Sequence, residues 1–89
     1  MVNNTVVVTQ ARTERVEEVK DRTVYFEARL TNPNTIAVSN RDMPFQQMKH
    51  LIPGQWFAIS CEYSERIFVK SDPAGTAAAS VLEYWYEDI

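Results

Sequence analysis

Thr23-Val24-Tyr25-Phe26-Glu27-Ala28-Arg29-Leu30-Thr31 is the stretch on which the fold turns, because it alternates without a break. Val24, Phe26, Ala28 and Leu30 share one parity and Tyr25, Glu27 and Arg29 take the other, the period of a strand with one face in a core and one in solvent. Asn32-Pro33-Asn34-Thr35 follows, with Pro preset for the second turn position and Asn tolerant of positive φ. Thr35 to Ser39 then resumes alternation through Ile36 and Val38, which predicts a hairpin.

Upstream, Val6 to Val8 and the neighbouring threonines favour a strand, and Thr5 to Val19 reads as one long bent strand closing through Lys20-Asp21. Downstream, Asp42 is placed to cap a short helix with Pro44 in its first turn. Phe45, Met48 and Ile52 stand at helical spacing, and Pro53 ends it. Ile52-Pro53-Gly54-Gln55 carries the signature of a type II turn. It launches a strand, Gln55 to Tyr63, with Phe57, Ile59, Cys61 and Tyr63 on the inner parity. A tight turn at Ser64-Glu65 returns through Arg66 to Lys70, where Ile67 and Val69 point inward.

Three strands, a short helix and two strands make a mainly β chain with one or two short helices. That is the element order of a small five-stranded antiparallel barrel of OB type; the rival is an open antiparallel α+β sheet. Residues 1–72 would form this barrel-like body. Residues 73–89 form an acidic, aromatic C-terminal segment, packed on the body or used for association. Two readings of that segment stay open: a helix with Ala78, Val81, Leu82, Trp85 and Ile89 in one stripe, or a strand with Leu82, Tyr84 and Tyr86 on one face.

Charge divides along the same line. Nine Lys and Arg against nine Asp and Glu leave the chain neutral through Asp72, and Glu83, Glu87 and Asp88 supply the net charge of −3. A neutral body with an acidic end lacks the Lys/Arg-rich footprint of a duplex-binding protein. No run of roughly 20 apolar residues could span a bilayer, and the N-terminus lacks the basic start and apolar core of a secretion signal. With a single cysteine, this places the chain in the cytoplasm.

Catalytic chemistry finds little to work with. His50 and Cys61 are the only residues of their kinds, so neither a zinc ligand set nor a Cys–His nucleophile pair is suggested by spacing. Cys61 sits on the apolar parity and reads as a buried thiol, and His50 as a surface residue complementing the helix C-terminus. Two glycines cannot build a phosphate-cradling loop, and adjacent acids such as Glu17-Glu18 point to opposite faces of a strand. Neither an enzymatic activity, a cofactor nor a metal is expected.

What remains is surface. Tyr25, Trp56 and Phe68 fall on the outward parity, interleaved with Arg29, Arg66 and Lys70, as aromatic platforms and cations are in single-stranded nucleic-acid binders. The structural alternative is that Trp56 or Phe68 packs under the C-terminal segment. Tyr84, Trp85 and Tyr86 make that segment too apolar to stay solvated. The residues therefore point to a small non-catalytic binding module, a subunit or inhibitor that meets another protein, or a second copy of itself, through exposed aromatics and the acidic end. The alternative is a single-stranded nucleic-acid-binding domain.

Overall fold

A computed structural model describes residues 4–88. Among these residues it contains eight strands: β1 (Asn4–Val8), β2 (Glu14–Val19), β3 (Arg22–Ala28), β4 (Ile36–Ser39), β5 (Lys49–Leu51), β6 (Trp56–Cys61), β7 (Glu65–Ser71) and β8 (Ser80–Asp88). They form two four-stranded antiparallel sheets, one in the order β1-β8-β3-β6 and the other β2-β7-β4-β5. Val8, Val24, Phe26, Ala28, Cys61 and Leu82 from the first sheet and Val16, Val19, Ile36, Val38, Leu51, Ile67 and Val69 from the second share one buried cluster. The sheets are thus stacked face to face. A smallest Cα extent of 16 Å has room for two such layers, which pack about 10 Å apart.

The mainly β class agrees with the alternation, but eight strands in two sheets replace the five-stranded barrel. No α-helix occurs among the described residues, so the α+β sheet is set aside as well. The expected helix from Asp42 shrinks to a single 3-10 turn, Phe45–Gln47, and Met48 is already extended. Pro44 and Pro53 bracket too few residues for a stable helix, and Lys49–Leu51 pairs with β4 instead. His50 therefore lies in a strand, stacked on Phe45 at 4.4 Å, with its Nε2 2.8 Å from the Phe45 carbonyl.

Connectivity is the larger correction. Only β4 to β5 stays within one sheet; the other six connections cross between sheets. The long bent strand is two strands, β1 and β2, on opposite layers. The hairpin at Asn32–Thr35 is an arch, because β3 pairs with β6 and β8 while β4 pairs with β5 and β7. Parity was legible here and partners were not, since period-two alternation fixes which face is buried and leaves the neighbour open. Two residues placed on inner parities lie past the ends of their strands and are exposed, Leu30 and Tyr63.

The type II turn at 52–55 is present: Gly54 has φ 89° and the Gln55 N–H donates to the Ile52 carbonyl at 3.0 Å. Residues 80–88 form a strand, hydrogen-bonded by β1 on one side and β3 on the other. Leu82 is fully buried in it, so this part of the C-terminal segment lies inside the first sheet.

Candidate binding face

The register of the first sheet builds its outer face residue by residue. Tyr25 on β3 lies opposite Trp85 on β8 and Ala58 on β6, and Glu27 lies opposite Glu83 and Trp56. The Tyr25 and Trp85 rings stack with centroids 5.5 Å apart and planes 9° from parallel. Ala58, on the other flank of Tyr25, has no side chain large enough to cover it. Trp56 is 66% exposed at the edge, and Val7 on β1 is 55% exposed at the opposite edge. The result is an aromatic and aliphatic surface running across the four strands of the sheet.

Its charge is acidic. Glu27, Glu83 and Glu87 share the face with one cation, Arg29, whose guanidinium lies 3.6 Å from Glu83. Glu27 and Glu83 are direct cross-strand neighbours, an arrangement that costs stability and that Arg29 offsets. The Glu87 carboxylate, accepting from the Tyr25 hydroxyl and repelling its phenolate, raises the Tyr25 pKa above its ordinary value.

The six residues read as one aromatic and cationic surface are divided between two. Tyr25, Arg29 and Trp56 lie on the outer face of the first sheet, whereas Arg66, Phe68 and Lys70 project from β7 on the outer face of the second. In a two-layer stack these faces look in opposite directions. On the second face Lys70 and Arg66 are engaged, Lys70 Nζ donating to the Met43 carbonyl at 2.7 Å and meeting Asp42 at 3.2 Å and Arg66 lying 3.9 Å from Glu18, while Arg15, directly opposite Phe68, is exposed. The Lys70 contacts draw residues 42 and 43 across that sheet, where Ala37 and Ser39 are buried although they share Lys70's outward parity. A shallow groove of about 310 Å³ opens beside it, lined by residues 9–13, Phe45, Lys70, Ser71 and Pro73. Its second cation, Arg12, is paired with Glu14 at 2.7 Å.

Tyr84 and Tyr86 stand apart from Trp85, as alternation along β8 requires. Both face between the sheets: Tyr84 packs tilted against Phe26, and Tyr86 meets Tyr84 edge-on. The Tyr86 hydroxyl donates to Glu17 at 3.3 Å, and the Arg22 guanidinium lies 5.5 Å from its ring centre. Burial, with the Glu17 charge beside them, raises the pKa of both tyrosines.

Cys61 is buried, its thiol donating to the Ile59 carbonyl at 3.9 Å, and loss of hydration, helped by the nearby Glu65 carboxylate that disfavours a thiolate, pushes its pKa up from 9.0 to about 11. The folded chain therefore keeps this proton to higher pH than the unfolded chain does. Its contribution to stability is full below pH 9 and is lost as pH rises toward 11. Thermal midpoints recorded across that window should fall with rising pH, and Cys61→Val should flatten the early part of the fall. A wild-type midpoint that rises there contradicts the assignment.

In the sequence Glu83 and Glu87 stand out only as part of the acidic end; reading residues 81–87 as a strand puts both on the parity of Trp85. No group of three or more His, Cys, Asp or Glu is placed to hold a metal ion among the described residues, and no helix among them is long and apolar enough to cross a membrane. No family model, curated protein or solved structure matches this chain.

Proposed function

We propose that this chain is a small non-catalytic binding module that docks another protein on the outer face of the β1-β8-β3-β6 sheet. The observation that supports this most directly is the Tyr25–Trp85 stack beside exposed Trp56, framed by Glu27, Glu83 and Glu87. Stiff aromatic side chains on a rigid sheet lose little conformational entropy on contact, and such residues dominate the energetics of protein interfaces. Three carboxylates against one guanidinium select a partner that presents Lys or Arg around an apolar centre. The nucleic-acid reading has less behind it, since its aromatics and cations are split between opposite faces and each of Arg29, Arg66 and Lys70 is already paired with a carboxylate.

Two measurements test the reading. In a tryptophan fluorescence titration with a short single-stranded oligonucleotide at low and moderate salt, neither Trp56 nor Trp85 should respond. Saturable, salt-sensitive quenching would instead favour nucleic acid. In affinity capture, a partner bound by the wild type should be lost with Tyr25→Ala and retained with Phe68→Ala, which removes an aromatic from the opposite sheet. Equal loss in both variants would count against the face.

A further inference from the structure

The two sheets treat their edges differently. In the second sheet, β2 carries Glu14, Arg15, Glu17 and Glu18 and has a register shift between Val16 and Val19, while β5 is three residues long and is soon followed by Pro53. Charge, irregularity and shortness are the ordinary protections of an exposed edge. In the first sheet both edges lack them. β1 is Asn-Thr-Val-Val-Val and β6 is Trp-Phe-Ala-Ile-Ser-Cys, with no charge and no proline in either.

Hydrogen-bond parity identifies which backbone groups are free. The Ala28 N–H donates to Gln55 and the Gly54 N–H donates to Ala28, so Phe57, Ile59 and Cys61 direct their N–H and C=O groups toward β3. Trp56, Ala58 and Ser60 direct theirs outward. By the same alternation, the bond from the Arg29 N–H to Val81 turns the backbone of Ser80, Leu82 and Tyr84 toward β1. The groups of Thr5 and Val7 are then left pointing away from the sheet. No described strand lies beyond either edge.

We propose that β6 of one molecule pairs with β1 of the next, so that copies of this chain assemble head to tail through one continuous sheet. Strand directions alternate along β1-β8-β3-β6, so β6 and an incoming β1 are antiparallel. Thr5 and Val7 then face Trp56, Ala58 and Ser60 as hydrogen-bonded pairs, with all their side chains on the outer face. Val7, exposed in the single chain, comes to lie beside Trp56 or Ala58, and the seam brings no charge against another. This contact is made by backbone edges and does not depend on the proposed protein-docking face: Tyr25→Ala should leave it intact, so either reading can fail without the other. Being heterologous, it closes into a ring or continues as a filament.

Sedimentation equilibrium over a concentration series tests it. The wild-type mass should rise above the 10.3 kDa of one chain as concentration increases. Val7→Lys, which blocks β1, should remain monomeric. Ala58→Pro, which removes an outward N–H and no bond to β3, should remain monomeric too, and Ser60→Lys serves in its place if the proline variant loses its cooperative thermal transition. An equimolar mixture of the β1-blocked and β6-blocked variants should form a dimer and nothing larger, because one open edge of each kind survives. A wild type that stays monomeric throughout overturns the proposal. So does either single variant that still dimerises, which would mean that like edges pair.

Discussion

A chain ended after Ser80 loses its cooperative fold. Among the described residues, the truncation removes the only strand that β1 pairs with and one of the two that β3 pairs with. It also removes Leu82, which is fully buried, together with Tyr84 and Tyr86, which pack on the core. Burying one leucine side chain is worth about 1.5–3 kcal/mol, and two hydrogen-bonded ladders and two half-buried rings go with it. A domain of this size has a total stability on the order of 5–15 kcal/mol, so the loss takes most or all of it. Far-ultraviolet circular dichroism should lose the β signal, and amide proton resonances should collapse into the narrow range of an unfolded chain. A sharp unfolding transition in the truncated chain would show that β8 is an addition to an independent body.

Asn34→Ala should destabilise the fold by about 3 kcal/mol, near the upper end for a buried polar group whose partners are left unmet. Asn34 is buried, and one amide group ties together three parts of the chain. Its Nδ2 donates to the Ser71 hydroxyl at 3.2 Å, to the Thr76 carbonyl at 2.8 Å and to the Ala78 carbonyl at 3.3 Å, while its Oδ1 accepts from the Thr76 N–H at 2.8 Å. Those contacts hold the segment between β7 and β8, which has no regular structure of its own. Gly75 belongs to the same arrangement, since a Cβ there would fall inside contact distance of the Asn34 Oδ1. Gly75→Ala should therefore shift stability in the same direction by a smaller amount. Urea unfolding measures both, and a change below about 0.5 kcal/mol for Asn34→Ala, the range of an ordinary surface substitution, would mean that something else anchors this segment.

Asn34 also marks where sequence reading stopped. Asn-Pro-Asn-Thr is a turn signal, and a turn signal followed by a second alternating run reads as a hairpin. The side chains of Asn32 and Asn34 instead bond to residues 76–81, more than forty positions away, and the chain arches from one layer to the other. Local chemistry predicts that the chain bends; it does not say toward which strand. The inward parities of Val24, Phe26, Ala28, Ile67 and Val69 were legible because burial follows a period that composition displays directly. The candidate site was half legible. Tyr25 and Trp56 could be placed on an outward parity from their own strands, but Phe68, Arg66 and Lys70 could be assigned to a different surface only once the sheet of β7 was known. Trp85 needed the choice between helix and strand, which for residues 81–88 contact with β1 and β3 decides and local propensity does not; Ile89, part of the helical stripe, lies outside the described residues.

The crossing connections also order events in time. Because six of the seven links between the described strands change layers, nearly every ladder joins strands distant along the chain, and β1 finds its partner in β8, more than seventy positions on. During synthesis residues 4–79 therefore have no complete first sheet to enter. The Val-rich strand β1 must wait, unpaired, until residues 80–88 have left the ribosome. Non-local pairing of this kind makes folding slow compared with helical domains of the same length, and it exposes uncharged strands while the chain is incomplete.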